Sequence, residues 1–145
     1  MKIKIEKGLP SGVFDAPPSK SYAHRLLICS ALSGKECTVS NVALSEDILA
    51  TLDSVKALGV AYALQGDKVI FSNNGAPVGC EFDCRESGST LRFFIPIALS
   101  RGGVCVFKGT ERLISRGISI YEDICKTCGI SIEYGKDYVR FDGKL

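Results

Sequence analysis

The sequence predicts an α/β (α+β) fold built from two copies of one unit, each running helix, strand, helix and two-stranded hairpin. Three observations lead there. Two stretches set the same small hydroxyl and cationic residues at a helix start. They are Pro18-Ser19-Lys20-Ser21-Tyr22-Ala23-His24-Arg25, opening Leu26-Leu27-Ile28-Cys29, and Glu86-Ser87-Gly88-Ser89-Thr90-Leu91-Arg92, opening the apolar run 93–99, with Arg92 standing where Arg25 stands. The correspondence then continues: Ala31-Leu32-Ser33-Gly34 answers to Ala98-Leu99-Ser100-Arg101, and Leu58-Gly59-Val60-Ala61-Tyr62 to Cys128-Gly129-Ile130-Ser131-Ile132. Finally, Asp67-Lys68-Val69-Ile70-Phe71 pairs with Asp137-Tyr138-Val139-Arg140-Phe141, so the offset stays near about seventy residues through the chain, the mark of an internal repeat.

The first element is a strand-like alternation, Lys2-Ile3-Lys4-Ile5, with a second extended piece at Gly12-Val13-Phe14. It belongs to neither copy, and residues 1–16 form an opening segment whose strand pairs outside the repeats. Asp15-Ala16-Pro17-Pro18 stiffens the approach to a helix over 21–32. A short strand follows at 36–40. Ser45 then caps a helix running to Leu58, with Glu46 and Asp47 in its first turn, apolar Ile48, Leu49, Leu52, Val55 and Leu58, and Gly59 as its stop. Residues 60–64 and 68–71 flank Gln65-Gly66-Asp67 as a hairpin, and Asn73-Asn74-Gly75-Ala76-Pro77 links to the next copy. The second copy has helix over 89–100, strand over 103–108, helix over 115–128, and a hairpin of 130–134 with 138–141. The first helix of each copy is apolar on nearly every side, which predicts burial all round with only the polar start exposed.

With 145 residues and 46% hydrophobic positions, the chain can bury one domain core. A net charge of +2 from 18 basic and 16 acidic side chains argues against nucleic acid or an anionic membrane as partner. The start shows no secretory signal, and the longest apolar stretch, 93–99, is too short to span a bilayer. Seven cysteines are an odd number, scattered in apolar runs, and imply a reduced, cytoplasmic protein. Cys125 and Cys128 continue the helical spacing of Ile118, Tyr121 and Ile124, so both read as core residues, and no metal is expected.

A helix N-terminus carries unpaired N–H groups and partial positive charge, and small hydroxyl residues let an anion approach them. Two such starts, each with an Arg one turn in, suggest a site for small polyanions. Lys20 at a helix start opposes the helix dipole, which calls for a compensating anion. Gly88, among Ser and Thr, leaves room for a ligand. His24 reads as a surface or supporting residue, since no nucleophile or orienting carboxylate is near it in sequence. Tyr22 reads as packing, Arg92 as either an anion ligand or a partner of Glu86 or Asp83, and Arg112 as structural.

Ser19-Lys20-Ser21 with Arg25, the Ser45-Glu46-Asp47 helix start, Ser87-Gly88-Ser89-Thr90-Leu91-Arg92 and Gly109-Thr110-Glu111-Arg112-Leu113-Ile114-Ser115-Arg116 occur in an order that resembles the enolpyruvyl transferases of the EPSP synthase family. The resemblance runs from Pro18 to the end. It implies two similar domains, each of three βαβαββ units in an inside-out α/β barrel, with substrates in the cleft between them. On that plan residues 17–78 and 79–145 are two units of one domain, and the third unit and the second domain are absent.

The implied reaction, part of aromatic amino-acid biosynthesis, moves the enolpyruvyl group of phosphoenolpyruvate onto the 5-hydroxyl of shikimate 3-phosphate, releasing phosphate. No cofactor is implied, and the full-length enzyme is expected to be a monomer. By motif, Lys20 is catalytic and lies between the substrates. Ser21 and Arg25 hold the shikimate carboxylate, while Gly88 and Arg116 bind phosphoenolpyruvate. The family is the glyphosate target, and the response depends on the space around Gly88. Glu86 stands where Asn is common and Gly117 where Pro is usual; neither removes a ligand group. The proton-moving carboxylate falls to the other domain, so the chain alone is expected to be inactive. Two alternatives are UDP-N-acetylglucosamine enolpyruvyl transferase, which usually has Lys-Asn in place of Lys20-Ser21 and a Cys in the loop before Arg116, and a non-catalytic anion-binding or RNA-processing module.

Overall fold

The computed structural model describes residues 2–4, 6–9, 11–72 and 79–145. The first unit contains α1 (Lys20–Leu32), β1 (Cys37–Val39), α2 (Glu46–Ala57), β2 (Ala61–Gln65) and β3 (Lys68–Ser72). The second contains β4 (Glu81–Asp83), α3 (Gly88–Arg101), β5 (Val104–Lys108), α4 (Glu111–Ile114), α5 (Ser119–Cys128), β6 (Ser131–Tyr134) and β7 (Tyr138–Asp142).

The sheets repeat one pattern. The first is ordered β1-β3-β2, and the second, β4-β5-β7-β6, contains the same antiparallel arrangement with β4 added parallel to β5. Even the register recurs: Cys37 faces Phe71 and Tyr62 faces Phe71 in one sheet, as Cys105 faces Phe141 and Ile132 faces Phe141 in the other. Side-chain alternation then turns Val69, Phe71, Val139 and Phe141 into the core, where all four are buried. The stacked Phe82 and Phe107 rings, 4.8 Å apart at their centroids, and the edge-on Phe141 continue it. One buried cluster spans both units, and α2 packs on α1, α3 and β4. That contact sets the helix starts against each other.

Local chemistry explains the boundaries. Ser19, Ser45, Ser87 and Thr110 each accept a hydrogen bond from the third residue after them, capping α1, α2, α3 and α4. Gly59 and Gly129 take positive φ after α2 and α5. Pro96 stands inside α3 and has no N–H for the Arg92 carbonyl, which instead accepts the Tyr121 hydroxyl at 2.6 Å.

Several expectations need correction. In the opening segment, residues 2–4 and 12–14 are neither helix nor strand within this chain and are exposed, while Ile5 lies outside the described residues. A lone strand leaves its backbone groups unpaired, so alternation without a neighbour does not make sheet. The 73–77 link also lies outside the described residues. β4 was not anticipated, although Phe82 alternates with Glu81 and Asp83. The helix expected over 115–128 begins only at Ser119, as α5, because Gly117, at φ +70°, turns the chain after the short, unanticipated α4. The first helices are not buried all round: Tyr22, Leu26, Cys29 and Leu32 of α1 are exposed, as are Arg92 and Ser100 of α3. Tyr22 is therefore not packing. Cys125 is buried as expected, but Cys128 is exposed at the last turn of α5.

Candidate anion site at two helix starts

Lys20 is the first residue of α1, and its ammonium lies 2.5 Å from an Asp47 carboxylate oxygen at the start of α2. Arg25, one turn in, donates to the Ser21 hydroxyl at 2.5 Å and the Ser21 carbonyl at 2.8 Å. Its guanidinium carbon sits 5.2 Å from the centre of the Phe93 ring, so α1's arginine leans on α3. Lys20, Ser21 and Arg25 are all exposed.

At α3 the repeat is visible in the side chains. Arg92 donates to the Gly88 carbonyl at 3.3 Å, as Arg25 donates to that of Ser21, which makes Ser21 and Gly88 equivalent positions. A Cβ on Gly88 would lie 2.7 Å from Arg92 Nη1 and 3.8 Å from Arg116 Nη1. Arg116 arrives there because its segment is tied to the approach to α3. Thr110 N–H donates to the Arg85 carbonyl at 2.9 Å, and the Thr110 hydroxyl donates to Glu86 at 2.6 Å. Gly109 is required at this crossing, since a Cβ would lie 2.9 Å from the Arg85 carbonyl oxygen. Arg85, itself in the left-handed region at φ 52°, holds Glu46 at 2.5 Å and Asp53 at 2.7 Å, fastening α2 to the same loop.

Among the described residues, Arg25, Arg92 and Arg116 make no ion pair with a carboxylate, whereas Lys20 does. Arg92 thus pairs with neither Glu86 nor Asp83. An N-terminal helix end flanked by two guanidinium groups without carboxylate partners can take a small anion through charge-assisted hydrogen bonds.

Sequence reasoning missed the buried centre between these starts. His24 is only 1% exposed, not a surface residue, and its Nδ1 lies 2.7 Å from the Thr51 hydroxyl of α2. Thr51 continues to the Thr90 hydroxyl at 2.8 Å, and Thr90 to the Ser87 hydroxyl at 2.7 Å. Thr90 also reaches the Asp47 carbonyl at 3.4 Å. Burial pushes the His24 pKa below its ordinary value; Asp47 opposes this, and Lys20 and Arg25 add to it. The available signal was a polar His24 and Thr51 on otherwise apolar helix faces.

The model of the family described as EPSP synthase (3-phosphoshikimate 1-carboxyvinyltransferase) matches residues 5–143. A 3-phosphoshikimate 1-carboxyvinyltransferase from Clostridium perfringens is 37% identical over 139 residues, covering 94% of this chain and 33% of the relative. One of the same description from Clostridium kluyveri is 38% identical, covering 99% of this chain and 34% of the relative. The chain thus spans about a third of the length of the curated relatives it matches. A solved structure described as EPSP synthase from Acinetobacter baumannii matches at a TM-score of 0.73 and 24% identity, over 92% of this chain and 33% of that one, a likeness of fold.

Proposed function

The chain belongs to the EPSP synthase family, and on that premise we propose that its two helix starts form one wall of a site for phosphoenolpyruvate and shikimate 3-phosphate. In the complete site, the enolpyruvyl group passes to the 5-hydroxyl of the shikimate ester with release of phosphate. The observation that carries this reading is the position of Gly88, at the start of α3 beside the Arg92 and Arg116 guanidinium groups, with no carboxylate paired to either among the described residues.

On this reading Gly88 and Arg116 receive phosphoenolpyruvate, and Arg92 joins them as a second cation. Ser21 and Arg25 receive the shikimate carboxylate, the Arg already held by Ser21 and Phe93 in one posture, which lowers the cost of ordering it. Lys20 serves the reacting atoms between the two substrates. Its Asp47 partner keeps the ammonium directed until a substrate phosphate competes for it. The developing charge on the departing phosphate is then met by fixed cations and helix N–H groups, which need little rearrangement at the moment of reaction. Two small-molecule substrates, no cofactor, a monomeric full-length enzyme and a cytoplasmic location complete the proposal. Among the described residues, no helix is long and apolar enough to cross a membrane.

Calorimetric titration of the 145-residue chain with shikimate 3-phosphate, phosphoenolpyruvate and a short RNA tests it. The expected result is weak, salt-sensitive binding of shikimate 3-phosphate, lost in Arg25→Ala and Lys20→Ala, with no RNA binding. Binding of RNA with none of either substrate would replace this reading by the nucleic-acid module.

A further inference from the structure

We infer that His24 is a positioning residue for the anion site, fixing the start of α1 against the start of α3 through the Thr51 and Thr90 hydroxyls. The consequence for binding rests on the proposed function; the geometry does not.

Two rungs join α1 to α2. Lys20 and His24 are four residues apart on α1, and so are Asp47 and Thr51 on α2, so each pair lies along one helix face. The outer rung is the exposed ion pair Lys20–Asp47, and the inner one is the buried contact of His24 with Thr51. Both rungs end on α3, since Thr90 meets the Thr51 hydroxyl and the Asp47 carbonyl. Thr90 then meets Ser87 twice, hydroxyl to hydroxyl at 2.7 Å and N–H to hydroxyl at 3.2 Å, immediately before Gly88.

An exposed ion pair between flexible side chains holds position weakly. The buried chain differs: His24, Thr51, Thr90 and Ser87 are each at most 1% exposed, and each hydroxyl has one proton to give. Donation from His24 Nδ1–H to Thr51, from Thr51 to Thr90 and from Thr90 to Ser87 satisfies each contact in turn and leaves Nε2 without a hydrogen. A charged imidazolium would place a second N–H at Nε2, which has no partner among the described residues, close to Lys20 and Arg25. The neutral ring in one tautomer is thus the form that completes the chain. With it, Lys20, Ser21 and Arg25 are held at a fixed distance from Gly88; without it, α1 can slide on α2 while the apolar core remains intact.

The test uses the 145-residue chain, in which His24 is the single histidine, so its ring nitrogens give unambiguous NMR signals. A neutral ring in one tautomer is expected at a pH where a free histidine is half protonated. Thr51→Val and His24→Leu should weaken shikimate 3-phosphate binding about tenfold, a loss of ~1.4 kcal/mol, and displace the Gly88 and Ser89 amide signals. Thr51→Ser and His24→Asn, which keep a hydrogen-bonding atom at the contact, should restore binding to within about twofold of the parent. Parental affinity and unmoved Gly88 signals in folded Thr51→Val and His24→Leu would overturn the inference. Should those two variants fail to fold, the parent ring decides, and interconverting tautomers there would overturn it. If the parent chain binds neither substrate, the functional reading falls, while displacement of Gly88 by Thr51→Val still decides this one.

Discussion

At Gly88 the backbone is helical, and an added methyl group would meet only the movable ends of Arg92 and Arg116. Gly88→Ala should therefore fold as well as the parent, or gain up to ~1 kcal/mol from helix propensity. The methyl group would nevertheless displace the Arg92 guanidinium and stand where the anion approaches. Thermal melting together with phosphoenolpyruvate titration checks the expected pairing of unchanged or higher stability with affinity about tenfold lower. His24 makes a second prediction. Its folded pKa is depressed by burial, so between that value and the ordinary ~6.5 the unfolded chain binds the proton and the folded chain does not. Stability is thus full above about pH 6.5 and falls as pH is lowered toward the folded pKa. Urea denaturation as a function of pH should show that decline in the parent and a flatter profile in His24→Asn. Equal slopes would mean that His24 carries none of the dependence.

Among the elements, α5 depends most on how it ends. Cys125 is its one buried residue, and Gly129 closes it at φ +69° with nothing within 4 Å of a Cβ. Gly129→Ala would meet no neighbour but must adopt a left-handed backbone, which costs about 1 kcal/mol. A matching fall in the urea midpoint is expected, with Gly129→Asn losing less because Asn tolerates that conformation better. Legibility in the sequence followed the same physics. α2 could be read from Ser45 to Gly59 because its cap, apolar spacing and stop are all local. Both hairpins were legible because their turns are. The break at Gly117 was missed because helical spacing resumes directly after it, and β4 because three residues gain strand character only by pairing with β5.

For the molecule as a whole, one core crosses both units, so the two should unfold together in a single transition, and Phe82→Ala, removing the ring stacked on Phe107 and tilted against Phe94, should cost about 3–5 kcal/mol. Catalysis is a different matter. The Lys20, Ser21, Arg25, Arg92 and Arg116 side chains are exposed, and charge interactions open to water are weaker by about fourfold or more than in an enclosed site. Proton transfer by a positioned carboxylate is worth about 10²–10⁴ in rate, and Asp47, the carboxylate at this site, is engaged by Lys20. The pure 145-residue chain should therefore release no phosphate from phosphoenolpyruvate and shikimate 3-phosphate. Release abolished by Lys20→Ala would show instead that the site is complete within these residues.

The sequence by itself determined the repeat, the α+β class, the helix starts and the arginine one turn into each. These depend on caps, turns and apolar periods that act over a few residues. It also carried the motif order that marks the family, since the groups that meet an anion are contiguous at each helix start. Only the tertiary structure decided which of those groups meet: that Lys20 takes Asp47, that Arg92 and Arg116 converge on Gly88, and that His24 is buried against Thr51. Such pairings depend on how α2 packs against α1 and α3, which is settled by burial across the whole core. A residue's type can announce its chemistry, but its partner is chosen by what the fold brings within hydrogen-bonding distance.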